Sequence, residues 1–139
     1  MKITIGSDHR GYDLKTKIIQ KFQDIEFLDV GTNSKGRVDY PVYADKVCQN
    51  ILQKEAELGI LICGSGVGVS IAANRFKKIY AGLCWNSEVA QSAREHDNIN
   101  VLVLPADFVD SENAFSIIQT WLDAKFKGGV YQDRLNMID

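Results

Sequence analysis

Cysteine pairing is the first thing missing. The three cysteines, Cys48, Cys63 and Cys84, stand far apart with no CxxC spacing. That excludes a disulfide framework and a zinc ribbon and points to a reducing, cytoplasmic setting. Proline occurs only twice and no low-complexity tract breaks the 139 residues. No linker is visible, so residues 1–139 read as a single domain with one sizeable core. Neither sign of charge dominates, since 16 Lys and Arg face 18 Asp and Glu for a net charge of −2. This gives no electrostatic reason to expect nucleic acid or a membrane surface as partner. The opening "MKITIGSDHRGYDLK" lacks the long apolar core of a signal peptide, and no other stretch is long and apolar enough to span a bilayer. A Walker A loop is absent as well, because no Gly-Lys-Ser/Thr closes the glycine-rich segment.

What is present is an alternation of strand and helix patterns. Lys2–Gly6 predicts a strand, and Gly11–Phe22 a helix with Leu14, Ile18 and Phe22 on one stripe. A second strand is expected at Glu26–Val30, ended by the turn-rich "GTNSKG". Pro41 suits the first turn of a helix in which Tyr43, Val47 and Ile51 recur four apart. "LGILIC" is unbroken in apolar character, as in a strand buried on both faces, and the helix after it should run to Phe76. "IYAGLCW" predicts the fourth strand, "SEVAQSAREHD" a helix opened by Ser87, and "NVLVLP" the fifth strand. A last long helix from Ser111 carries Phe115, Ile118, Leu122 and Phe126, and "GGVYQDRLNMID" reads as a turn with a terminal helical piece. Five such strands predict an α/β, three-layer Rossmann-like fold with a parallel sheet covered on both faces. The flavodoxin-like strand order 2-1-3-4-5 is expected, with ligands bound beyond the carboxyl ends of strands 1 and 3. Those ends carry "SDHRG" and "CGSGVG".

The second of these is the chemically loaded one. Gly64, Gly66 and Gly68 let the backbone turn sharply with its N–H groups open to a ligand. Such a loop holds a phosphate, or an oxyanion that exists only during reaction. The spacing is GxGxG rather than GxGxxG and follows strand 3, which argues against a dinucleotide site. Cys63, immediately before the loop, has two open readings. One is a small buried hydrophobe. The other is a thiolate beside an oxyanion hole, an arrangement suited to removing a proton alpha to a carbonyl. Cys48, within a helix, and Cys84, within a strand, read as core residues.

Asp8 and His9 leave strand 1 just before a helix. Asp8 is a helix cap or an acceptor for sugar hydroxyls, and His9 is incidental or a donor to an anion. Tyr40 packs or lines the crevice. His96 falls at the carboxyl end of the fourth helix, at the opposite edge of the sheet from Cys63. It therefore either caps that helix or serves a neighbouring subunit, which implies a homodimer with composite sites. Arg134 is a surface ion-pair residue or a cation for a phosphate.

At these residues the chain resembles the sugar-phosphate isomerase family that joins type B ribose 5-phosphate isomerases with the galactose 6-phosphate isomerase subunits. The match runs through "IGSDHRGYDLK", "DYPVYA", "ILICGSGVGVSIAANRF", "REHDNINVL" and "KFKGG". The galactose subunits typically lack the cysteine, so the ribose branch fits better. The resemblance implies an aldose–ketose isomerase, without metal or cofactor, that interconverts ribose 5-phosphate and ribulose 5-phosphate through a cis-enediolate. It makes Cys63 the base, with the backbone of Gly64, Ser65, Gly66, Val67 and Gly68 holding the intermediate. His96 of a partner subunit helps open the furanose ring, and Ser65 stands where the family often has threonine. Asp8 binds a sugar hydroxyl, and His9 and Arg134 hold the phosphate. A homodimer or a pair of dimers is implied.

Three positions depart from the family pattern. Pro105-Ala106-Asp107 stands where Gly-x-Arg is usual, Val130 where Arg follows the glycine pair, and Asp97, at a substrate-binding position, where Asn is usual. Each lost charge-assisted hydrogen bond to phosphate costs about 1.5–3 kcal/mol. Arg10 and Lys78 are the other cations available to compensate. The departures keep open another sugar phosphate, such as a hexose 6-phosphate. A non-catalytic phosphosugar-binding module is the alternative from a different class.

Overall fold

The computed structural model describes all 139 residues. Strand β1 (Lys2–Ser7) leads through a short 3-10 turn (His9–Gly11) into α1 (Tyr12–Lys21), β2 (Glu26–Gly31), α2 (Tyr40–Leu52) and β3 (Leu58–Cys63). Then follow α3 (Val67–Ala73), β4 (Ala81–Leu83), α4 (Ser87–Asp97), β5 (Val101–Pro105), α5 (Ser111–Asp123) and α6 (Val130–Ile138). No helix is long and apolar enough to cross a membrane.

All strand pairs are parallel, and the order is β2-β1-β3-β5-β4. This corrects the expected 2-1-3-4-5, because the last two strands exchange places. The reason is burial. Every residue of β5 is buried, whereas β4 is three residues long, includes Gly82, and is only half-buried throughout. The continuous apolar strand takes the position beside β3, and the short one becomes the edge.

Crossovers to the next parallel strand are right-handed almost without exception. The steps β1 to β2 and β4 to β5 run one way along the sheet, and β2 to β3 and β3 to β4 the other. The helices accordingly divide. Leu14 and Ile18 of α1, Ala90 of α4 and Ile117, Ile118 and Trp121 of α5 join the larger core. Ala44, Val47 and Cys48 of α2 and Val69 and Ala73 of α3 join the smaller one on the opposite face. Strand β3 serves both by alternation, with Ile60 and Ile62 in the first core and Leu61 and Cys63 in the second. Each fully buried Leu or Ile contributes about 1.5–3 kcal/mol of transfer free energy.

Helix α4 begins at Ser87 as expected, and the residue that caps it is Asn86, whose side chain accepts from Val89 N at 2.8 Å. Several boundaries differ from the sequence reading. Helix α3 stops at Ala73, short of Phe76, and α5 stops at Asp123, which leaves Phe126 outside it. Cys84 directly follows β4 and is fully buried.

Candidate active site

The carboxyl ends of β1, β3 and β5 lie side by side, with Ser7 paired to Ile62 and Cys63 paired to Pro105. From here the chain leaves β1 and β5 toward one face and β3 toward the other, so the loops separate and open a crevice. Cys63 is the last residue of β3, and its side chain belongs to the smaller core at 5 % exposure.

The loop after Cys63 is built almost wholly of backbone. The N–H groups of Gly64, Ser65, Gly66 and Gly68 donate to no protein acceptor, while Val67 N donates to Ser65 Oγ at 3.1 Å. Gly66 sits at φ +77°, where a Cβ would come within 2.5 Å of Leu83 Cδ1. Only glycine meets both requirements. The ring of Tyr40, at the start of α2, closes over Gly68, where a Cβ would stand 2.7 Å from Tyr40 Cζ. Helix α3 has only seven residues, so the loop amides themselves, more than a helix dipole, supply the positive potential.

Across the crevice, Asp8 is buried and caps the 3-10 turn. Its Oδ1 accepts from Arg10 N at 2.9 Å and Gly11 N at 3.1 Å, which leaves Oδ2 free of protein donors. Gly11 is required because a Cβ there would meet Ile62 O at 2.7 Å. His9 Nδ1 accepts from Val38 N at 3.2 Å, an arrangement that puts the proton on Nε2. Ser7 Oγ is fully buried with no hydrogen-bond partner.

The remaining predicted residues lie elsewhere. His96 and Asp97 end α4, and β5 begins only at Val101, four pairing steps from the residue beside Cys63. That separation is about 13 Å of strand. His96 Nδ1 meets Ser92 Oγ at 3.1 Å, and its ring stacks on Tyr131 of α6 with centroids 4.6 Å apart. Arg134 Cζ lies 5.6 Å from the centroid of the same Tyr131 ring. Asp97 borders a groove with Asn74, Tyr80 and Leu135. The chain thus brings together Asp8, His9, Tyr40, Cys63 and the glycine loop. It gathers His96, Asp97 and Arg134 at the amino edge of the sheet.

Two features escaped the sequence reading. Tyr131 lies in the terminal helical piece, and its position three residues before Arg134 on a helix is the stacking signal. Asp107 stands where the family pattern has a cation, yet its carboxylate forms an ion pair with Arg10 directly over Gly64. The other two thiols are held protonated, Cys48 by burial and then by Asp45, and Cys84 by burial, each pushed up to about 12.

Sheet order and crevice together define a doubly wound α/β protein with a thiol and open backbone amides at its switch point. Comparison with known proteins narrows this. The family model for Ribose/Galactose Isomerase matches residues 3–138. The chain belongs to that family and is an isomerase. It is 42 % identical to ribose-5-phosphate isomerase B of Escherichia coli, over 99 % of this chain and 93 % of that protein. A crystal structure of a ribose 5-phosphate isomerase from Thermotoga maritima superposes with a TM-score of 0.98 at 48 % identity, covering 99 % of this chain and 97 % of that one. Ribose-5-phosphate isomerase B from Mycoplasma genitalium, solved with bound ribulose-5-phosphate, gives 0.91 at 39 % identity, covering 99 % and 93 %.

Proposed function

We propose that residues 1–139 form one isomerase domain that interconverts ribose 5-phosphate and ribulose 5-phosphate, with Cys63 as the base. The observation that carries this is Cys63 at the end of a buried strand, followed by backbone N–H groups without protein acceptors. The Mycoplasma genitalium relative, with ribulose-5-phosphate bound, supports the choice of sugar.

In the open-chain aldose the Cys63 sulfur takes the proton from C2. The C2–H electron pair becomes the C1=C2 double bond, and the carbonyl electrons move onto O1, which gives the cis-enediolate. The same sulfur returns its proton to C1. The O2 hydroxyl loses its proton as the C2 carbonyl forms, and O1 regains one. Charge peaks on the enediolate oxygens, and the free amides of Gly64, Ser65, Gly66 and Gly68 stabilise that charge more than the ground-state carbonyl. Asp8 Oδ2 accepts from a sugar hydroxyl, His9 Nε2 donates to the phosphate, and Tyr40 closes the side of the crevice. Ser65 donates its hydroxyl proton to the sugar, since its Oγ already accepts from Val67 N.

Ring opening needs an acid besides His9, which is taken up by the phosphate. His96, Asp97 and Arg134 come from a second copy, His96 for the ring oxygen and Arg134 for the phosphate, so the working form is a homodimer in the cytoplasm. The test is Cys63→Ala assayed with ribose 5-phosphate in deuterated solvent. Loss of turnover by about 10²–10⁴-fold, together with loss of deuterium at C1 and C2, is the expected result. Undiminished exchange removes the assigned base.

A further inference from the structure

We infer that Arg10 is the phosphate-reading cation of this crevice and that Asp107 is its positioning residue. The inference rests on the isomerase reading for the identity of the sugar, but not for the anion contact. Arg10 comes from the 3-10 turn after β1 and Asp107 from the loop after β5, and their side chains join over the end of β3. A Cβ on Gly64 would stand 2.7 Å from Arg10 Nε, 2.8 Å from Arg10 Cζ and 2.8 Å from Asp107 Oδ2. The pair therefore lies against the first residue of the open-amide loop.

Both partners are rooted in the site. Arg10 N donates to Asp8 Oδ1 at 2.9 Å, and Asp107 N donates to Gly64 O at 3.0 Å. A guanidinium carries five N–H donors, and one carboxylate engages at most two of them. With its side chain 58 % exposed, Arg10 keeps donors for a second acceptor. A carboxylate alone at this mouth would repel an anionic substrate. Bound to Arg10, it instead fixes the guanidinium beside the loop, with its free donors facing an anionic substrate. The other guanidinium assigned to phosphate, that of Arg134, sits with Tyr131 on α6. Arg10 is thus the one that each chain supplies to its own Cys63.

The test compares Arg10→Gln, Asp107→Asn and the exchanged pair R10D/D107R with the intact protein. Steady-state kinetics use ribose 5-phosphate, and calorimetry measures binding of inorganic phosphate. Arg10→Gln should raise KM and the phosphate Kd by tenfold or more with kcat within about twofold, as expected for uniform binding. Asp107→Asn should raise KM by a smaller factor, and the exchanged pair should recover most of the lost affinity. An unchanged KM and phosphate Kd in Arg10→Gln, with Cys63→Ala inactive, overturns the role of Arg10 and leaves the isomerase reading standing. Weakened phosphate binding in Arg10→Gln, in a protein that never turns over ribose 5-phosphate, supports Arg10 and overturns the sugar.

Discussion

The two ends of the sheet treat their polar groups in opposite ways. At the amino edge nearly every group is matched. Asn74 and Ala81 exchange two hydrogen bonds, Asn100 accepts from Tyr80 N and donates to Lys78 O, and Trp121 Nε1 and Arg94 both reach Ile99 O. At the carboxyl end four loop amides, one Asp8 oxygen and the buried Ser7 hydroxyl have no protein partner. Of the side-chain atoms among them only Ser7 Oγ is both fully buried and unpartnered, at a cost of about 1–3 kcal/mol. Leaving polar groups unpartnered at one end is what a site that completes itself on a ligand requires. The amino edge is a scaffold, and the stacked His96, Tyr131 and Arg134 are carried on its outside.

The sharpest way to break this contrast is to ask whether the ends work in one molecule. Cys63→Ala and His96→Ala should each be nearly inactive. If His96 serves the partner's Cys63, co-folding the two variants in equal amounts makes half of the dimers mixed, and each mixed dimer has one intact site. Roughly a quarter of wild-type activity should return. No recovery in verified mixed dimers would return His96 to a helix-capping role.

Glycine substitutions test the scaffold of each end. Gly66→Ala places a Cβ 2.5 Å from Leu83 Cδ1 at φ +77°, whereas Gly128, at φ +66°, has nothing within 4 Å of its own Cβ position. The first should lose roughly 2–4 kcal/mol in urea denaturation, combining left-handed strain with overpacking. The second should lose only about 1–2 kcal/mol, the strain alone. Equal losses would show that the glycine loop adjusts freely and is not held rigid for its chemistry.

These contrasts explain which features were legible in advance. The element sequence, the two-faced burial of "LGILIC" and the meeting of "SDHRG" with "CGSGVG" follow from periodicity and right-handed crossover, both of them local or near-universal rules. Separation of His96 from Cys63 followed from helix direction alone. The exchange of β4 and β5 did not, since it depends on how much burial each strand can use. "VLVLP" against the glycine-broken "IYAGLCW" is the usable signal, and the flavodoxin-like order does not contain it. The Arg10–Asp107 pair was out of reach for another reason. Its partners are 97 residues apart and meet only because β1 and β5 both flank β3.

The three thiols differ in the same way at smaller scale. Cys48 and Cys84 are wholly buried with thiols pushed up to about 12, and Cys63, at the start of the loop, is 5 % exposed. Iodoacetamide applied to the folded protein at pH 8 should label Cys63 first, since the thiolate is the reactive form. Ribose 5-phosphate should slow that labelling. Equal labelling of all three cysteines by peptide mapping would deny Cys63 its access to the crevice.

The smallest effect belongs to the amino edge. Helix α6 is tied down through Asp139, whose carboxylate accepts from Tyr80 Oη at 2.6 Å, and the segment before it through Lys127 on Glu95 at 3.4 Å. The Tyr80 hydrogen bond holds Asp139 below the ordinary carboxylate value, and the Gln91 hydrogen bond, then Lys127, does the same for Glu95. A depressed carboxylate stabilises the fold above its unfolded value and loses that contribution as pH falls through the folded one. Tyr80, raised to about 12 chiefly by the same bond to Asp139, behaves inversely, so its contribution holds below the ordinary tyrosine value and disappears as pH rises through about 12. Both carboxylates are near the surface, so salt should weaken the effect. Hydrogen-exchange protection of α6 should fall below about pH 4 while β3 and β5 stay protected. Asp139→Asn should remove the Asp139 part of that pH dependence and leave the part from Glu95. Simultaneous loss of protection at both ends would mean that the amino edge does not loosen independently of the catalytic end.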